Sequence, residues 1–191
     1  MKEVTIFGGS FNPPTRAHEA IARACLNVGE IDEVWLMPSG DRRDKRHGLS
    51  DTDRLWMLDL MHEEVFDADE RLKISRFELD YLPRPTQTYQ TVEMLTEHYP
   101  DHNFKFVFGA DSYESMPGWT KGQELQRSLG MLIVPRSGVE IPPAANLAVL
   151  DIKACDLSST VVRQAVSKEL PIGQMVCDSV ADYIAECGLY R

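Results

Sequence analysis

Gly8 and Gly9 end a short apolar run near the start of the chain. "SFNPPTRAH" then leads through Thr15 to His18, three residues further on. Glycines let backbone approach a ligand closely and present its N–H groups. A helix beginning just beyond them adds free N–H groups and a partial positive charge, and together these favour phosphate. Residues three apart in a first helical turn share one face. The Thr15 hydroxyl and the His18 imidazole are therefore expected to aim at whatever lies over the glycines. The turn is neither a G-x-G-x-x-G fingerprint nor a Walker A loop, because a histidine stands where a P-loop carries lysine. For Gly-Gly alone, a tight turn with a capping threonine and a solvated histidine would suffice.

Four further stretches bear on the same chemistry. In "DLSSTVVRQAV" hydroxyls crowd a helix start, and Arg163 lies three residues past Thr160. Ser159, Thr160 and Arg163 would make a polyphosphate clamp; ordinary capping with a surface arginine is the alternative. In "FGADSYESMPGWTK" Gly109 and Asp111 follow an apolar run, and Trp119 offers a flat face for a heterocycle. A capping aspartate and a core tryptophan would look the same in isolation. Arg42, Arg43, Lys45 and Arg46 form the densest basic cluster, either an anion-gathering lip or a solvated loop. Thr86 and Thr88, in "RPTQTYQTVEML", either cap a helix or present hydroxyls to a polar ring substituent.

These residues need a frame that brings them together. Apolar runs at Val4–Phe7, Glu33–Pro38, Phe104–Gly109, "GMLIVPR" and Leu147–Leu150 read as strands, as does "RLKISRFEL". Helical spacing predicts helices over Ala17–Val28, Asp53–Phe66, "TVEMLTEHY", Gln123–Leu129, Ser159–Ser167 and Ser179–Cys187. Alternating strands and helices imply an α/β, Rossmann-like, mostly parallel sheet covered on both faces, with helices from about 158 packed on it. In such sheets ligands bind beyond the carboxyl ends of the strands.

The 191 residues suit one domain, 1–191, and 43% hydrophobic content argues against disorder. A formal net charge of −10 argues against gripping nucleic acid by its phosphates. No run approaches the roughly 18–20 apolar residues of a membrane span. Met1–Val4 enters a strand-like run with no signal-peptide pattern. The four cysteines show no metal spacing, so reduced thiols in a cytoplasmic protein are expected.

In this order, the pieces resemble the nicotinate/nicotinamide mononucleotide adenylyltransferase family of the nucleotidyltransferase superfamily with T/HxxH and SSTxxR signatures. "GGSFNPPTRAH" resembles its opening turn, "VWLMPSG" with Lys45 its next strand and loop, and "SDTDRLWML" its Asp-Arg helix. "GADS" with Trp119, "VPRSG", "LSSTVVR" and "VADYIAECGLY" resemble its later motifs, so the likeness spans nearly the whole chain. Thr15 stands where most bacterial members carry histidine, Ala17 where they carry glycine, and Gln87, Thr120 and Asp44 are further departures.

The resemblance implies transfer of the adenylyl group of ATP, with Mg²⁺, to a pyridine mononucleotide. His18, Thr15 and Arg163 would be catalytic. Gly8, Gly9, Ser10 and Phe11 would line the ATP side, and Ser159 and Thr160 would hold the β- and γ-phosphates. Lys45, Thr86, Thr88 and Trp119 would hold the mononucleotide, with Gly109 and Asp111 between and Arg136 nearby. No dedicated metal cage is expected, and neither nucleic acid nor a membrane is a partner; a homo-oligomer stays open. So does the choice between nicotinate and nicotinamide. The alternatives are a related transferase with another acceptor (pantetheine phosphate) or using CTP, and a non-catalytic nucleotide sensor.

Overall fold

The computed structural model describes residues 1–40, 49–153 and 157–191. The chain runs β1 (Lys2–Gly9), α1 (Arg16–Leu26), β2 (Glu33–Pro38), α2 (Asp51–Phe66), β3 (Leu72–Ile74), α3 (Phe77–Tyr81) and α4 (Thr88–His98). It continues through β4 (His102–Gly109), α5 (Ala110–Ser115), a 3₁₀ turn (Met116–Gly118), α6 (Gly122–Ser128), β5 (Gly130–Val134), β6 (Leu147–Val149), α7 (Ser159–Val166) and α8 (Asp178–Glu186). The six strands form one sheet in the order β3-β2-β1-β4-β5-β6, and every pair is parallel.

Successive side chains of a strand point to opposite faces, and the central strands are apolar on both. Val34, Leu36, Val107 and Leu132 join one core, closed by α1, α2, α7 and α8. Trp35, Met37, Phe104, Phe106, Met131 and Ile133 join the other, closed by α3, α4, α5 and α6. Both faces of the sheet are thus covered, as a near-continuous apolar strand requires. No described helix is long and apolar enough to cross a membrane.

Two elements differ from the sequence reading. The run "RLKISRFEL" is a strand only over Leu72–Ile74. Beyond Ser75 the chain leaves this edge position and turns helical, which buries Phe77 in the second core near Tyr99. The helix α5 was unforeseen, because six residues are too few for helical periodicity to register. Elsewhere the caps set the boundaries. The Ser50 Oγ accepts from the Asp53 N–H at 3.0 Å, so α2 begins at Asp51.

Candidate active site

The strand order reverses direction between β1 and β4, and the crevice outside such a switch point is where open α/β sheets bind ligands. Both strands end there in glycine, at Gly8–Gly9 and at Gly109. Two clefts open at this edge. The first, about 340 Å³, is lined by Gly8, Gly9, Ser10, Ser39, Glu78, Thr86, Thr88, Thr91, Ser112 and Trp119. The second, about 560 Å³, is lined by Ala17, Ala20, Asp111, Pro135, Arg136, Lys153, Leu157 and Ser158. Ile21, Gly109 and Val134 border both, so the clefts meet at the end of β4.

The turn after β1 is gripped from behind. The Arg54 Nη1 donates to the Ser10 carbonyl at 2.9 Å, the Arg163 Nη1 to the Asn12 carbonyl at 2.7 Å, and the Ser159 Oγ to the Pro13 carbonyl at 2.8 Å. In a trans peptide the N–H points opposite to the C=O, so the Phe11 N–H faces away from Arg54. Phe11 itself adopts left-handed backbone with φ 45° and is 0% exposed. Its ring lies under Gly9, where an added Cβ would stand only 3.2 Å from it. The expectation that Phe11 lines the ATP side is therefore corrected as far as its side chain goes: the ring is packing beneath the turn.

Thr15 and His18 do meet on the first turn of α1, but mainly with each other. The Thr15 N–H donates to the His18 Nδ1 at 3.0 Å, and the Thr15 Oγ1 lies 2.8 Å from the same nitrogen. One nitrogen facing two donors carries no proton, so the neutral ring holds its hydrogen on Nε2. Some of the ring stays accessible, yet it is deeply packed. Phe7 and Phe11 stand at centroid distances of 5.9 and 5.0 Å. That burial pushes the His18 pKa down to about 4. Thr15 is only 2% exposed. The expectation that its hydroxyl reaches a phosphate oxygen is corrected: it orients the imidazole.

At the start of α7, Ser158 is the N-cap and accepts from the Val161 N–H. Ser159, expected to hold phosphate, spends its hydroxyl proton on the Pro13 carbonyl. Thr160 accepts from the Arg163 Nη2 at 3.1 Å. Two of the five guanidinium N–H donors of Arg163 are thereby placed, and the half-buried side chain keeps the rest. None of Thr15, His18, Ser159, Thr160 and Arg163 lines either cleft; they stand around the turn that borders the first one.

On the opposite wall, neither Thr86 nor Thr88 caps α4. The N-cap is Gln87, whose N–H donates to the Gln90 Oε1 at 3.2 Å, and both threonines line the first cleft. Gly40 allows this loop to close in, since a Cβ there would meet the Thr86 Oγ1 at 2.8 Å. Trp119 lines the same cleft and meets Phe108 edge-on at 6.0 Å. Asp111 is ion-paired with Arg136 on the rim of the second cleft. Lys45, with Arg42, Arg43 and Arg46, lies outside the described residues.

Sequence reasoning missed Ser39, Glu78, Thr91 and Ser112 as lining, and above all Arg54. This arginine is 0% exposed, and its Nη2 donates to the Asp51 Oδ1 at 2.6 Å. Asp51 also pairs with Arg84. Burial works against the Asp51 carboxylate, but the two arginines outweigh it and hold its pKa below the usual range. A signal was present: Arg54 falls in register with Leu58, Met61 and Val65, and a charge on an apolar stripe needs a buried partner.

Comparison with known proteins gives the family and the fold. The cytidylyltransferase-like family matches residues 6–165. A probable nicotinate-nucleotide adenylyltransferase of Bacillus licheniformis is 31% identical over the whole of both chains. The nicotinate-nucleotide adenylyltransferase of Bacillus subtilis is 30% identical, again over the whole of both. A Plasmodium falciparum nicotinic acid mononucleotide adenylyltransferase, solved in complex with NaAD, shares the fold with a TM-score of 0.86. It is 24% identical, and the match covers 100% of this chain and 98% of that one.

Proposed function

Because the chain belongs to the cytidylyltransferase-like family and, within it, to the nicotinate-nucleotide adenylyltransferases, we propose that it transfers the adenylyl group of ATP to nicotinate mononucleotide. The products are the adenine dinucleotide and pyrophosphate, a step of NAD biosynthesis. The observation that carries the reading is the pair of clefts meeting at Gly109. The polar, Trp119-bearing cleft suits a pyridine mononucleotide, and the larger one suits ATP; Gly8, Gly9 and Ser10, expected on the ATP side, line the first cleft instead. The curated relatives' names support the nicotinate form over the nicotinamide form. A cytoplasmic location belongs to the same reading.

A phosphate oxygen of the mononucleotide forms the new bond to the α-phosphorus of ATP. The bond to the bridging oxygen breaks, and its electron pair leaves with pyrophosphate. The attacking phosphate has a second pKa near 6, so it needs no general base at neutral pH. Catalysis is then positioning and stabilisation of charge. The Nε2–H of a neutral His18 donates to the α-phosphate as charge builds there. The free donors of Arg163, with Thr160, receive the departing phosphates. The Gly8 and Gly9 backbone allows close approach, Thr86, Thr88 and Trp119 hold the mononucleotide, and Arg136 and Asp111 border the nucleotide. When bound, Mg²⁺ supplies further neutralisation of phosphate charge.

The test is incubation with Mg-ATP and each mononucleotide, with pantetheine phosphate as a rival acceptor and CTP as a rival donor, and products resolved by chromatography. Nicotinate mononucleotide should give the dinucleotide and pyrophosphate in equal amounts. Turnover only with pantetheine phosphate or only with CTP would replace the acceptor or the donor. Dinucleotide binding with no turnover would make the protein a sensor.

A further inference from the structure

The segment "GLY" at Gly188–Tyr190 carries no role in the chemistry above, yet it ends beside the phosphate turn. Gly188 takes left-handed backbone, φ 62°, just after α8, and the Leu189 N–H returns to the Ile184 carbonyl at 3.0 Å. This is a Schellman stop, and it reverses the chain. Leu189 packs on the first core. Tyr190 is also left-handed, φ 64°, which is uncommon for a bulky aromatic residue and needs something to hold it. That conformation turns the side chain back so that its hydroxyl donates to the Asn12 Oδ1 at 2.6 Å. Asn12 is 4% exposed. Its own carbonyl is the acceptor that fixes the Arg163 Nη1. One turn residue thus joins Tyr190 to the phosphate-clamp arginine. Burial pushes the Tyr190 pKa upward, so the hydroxyl stays a donor at neutral pH.

We propose that Tyr190 is a positioning residue for adenylyl transfer: it fixes Asn12, and through Asn12 the Arg163 guanidinium that receives the departing phosphates. The inference rests on the adenylyl-transfer reading. Tyr183 provides the contrast. It lies on α8, but its hydroxyl donates to the Asp53 Oδ1 at 2.7 Å and ties α8 to α2 without touching the turn.

The experiment is a double-mutant cycle of Tyr190→Phe with Arg163→Ala, read by kcat, by calorimetric affinity for pyrophosphate and by thermal melting. Phenylalanine keeps the packing and removes the hydroxyl that donates to the Asn12 Oδ1. Tyr190→Phe should lower kcat about tenfold and weaken pyrophosphate by a similar factor. In the Arg163→Ala background the same change should cost less than about twofold, because there is no guanidinium left to misplace. Asn12→Ala should show the same coupling, and it serves if Tyr190→Phe folds poorly. Tyr183→Phe should lower the melting temperature with kcat unchanged. Equal losses in both backgrounds, no loss at all, or a Tyr183→Phe that matches Tyr190→Phe would overturn the proposal. The pyrophosphate arm needs no acceptor, so it remains readable if wild type fails to make the dinucleotide.

Discussion

The turn that leads into α1 and the start of α4 both border the first cleft, and the two helices begin the same way. In each, the residue at the third helical position reaches back to the N-cap N–H: His18 to Thr15 at 3.0 Å and Gln90 to Gln87 at 3.2 Å. This is half of a capping box, usually made by Glu or Gln. Gln90 does only that. His18 satisfies the same orphan N–H, and in doing so it gives up Nδ1 and sends its proton to Nε2. A capping interaction in one helix is a tautomer lock in the other. Their backing differs as well. The turn before α1 has three carbonyls held by Arg54, Arg163 and Ser159. The loop before α4 is tied to Asp51 through one partly exposed arginine, Arg84. The wall expected to do chemistry is fixed from behind at three backbone carbonyls; among the described residues the other wall is tied by side chains, through Arg84 to Asp51 and through Thr91 to Glu78.

The largest expected effect separates the two jobs of His18. Losing a charge-stabilising donor costs about 10²–10³ in rate at oxyanion-type sites, so His18→Ala should lower kcat by that order. It should also cost about 1 kcal/mol of stability, the usual worth of such a cap. His18→Gln retains a capping side chain and should recover most of that stability while the rate stays low. Steady-state pyrophosphate release and thermal melts on both variants check this. A His18→Gln enzyme with near-wild-type turnover would show that the residue is a cap and nothing more.

A second difference is protonation, since imidazole titrates and glutamine does not. His18 is held at about 4 in the folded chain against an ordinary value of 6.5. The folded pKa is the lower one, so the unfolded chain takes up a proton that the folded chain refuses. Stability is therefore lost as pH falls from about 6.5 towards 4. An NMR titration of the free protein should find the His18 ring neutral throughout the 5–8 window. A midpoint near 6.5 would mean that Nδ1 is not buried against two donors, and the tautomer argument would fall with it.

The difference between the walls was only partly legible beforehand. Three-residue spacing announced Thr15 and His18 as one face of a helix start, and glycine-ended apolar runs announced the crevice. The partners were hidden. Ser159 and Arg163 read as free donors, but each spends a hydrogen bond on a backbone carbonyl far away in the chain, 146 and 151 positions off. Such pairings depend on how the helices close over the sheet, which no local pattern encodes. The capping role of His18 was hidden for another reason: capping boxes are recognised by Glu or Gln at the third position. At α4 only half of that pattern is present: Gln90 fits the third position, but the N-cap is a glutamine and not Ser or Thr, so Thr86 and Thr88 stayed the natural cap candidates.

The smallest effect tests the comparison from its quiet side. Gln90→Ala removes the α4 cap and touches no residue placed in the phosphate chemistry. It should cost about 0.5–1 kcal/mol of stability, with kcat unchanged. KM for the mononucleotide should move modestly and KM for ATP not at all, because Thr88 follows this cap directly and lines only the first cleft. Melting curves with separate titrations of the two substrates resolve these outcomes. A loss of kcat as deep as that of His18→Ala would mean that fraying a helix start beside the cleft is enough to stop turnover. The histidine effect would then report on the cap at α1, and the Nε2–H would lose its claim on the α-phosphate.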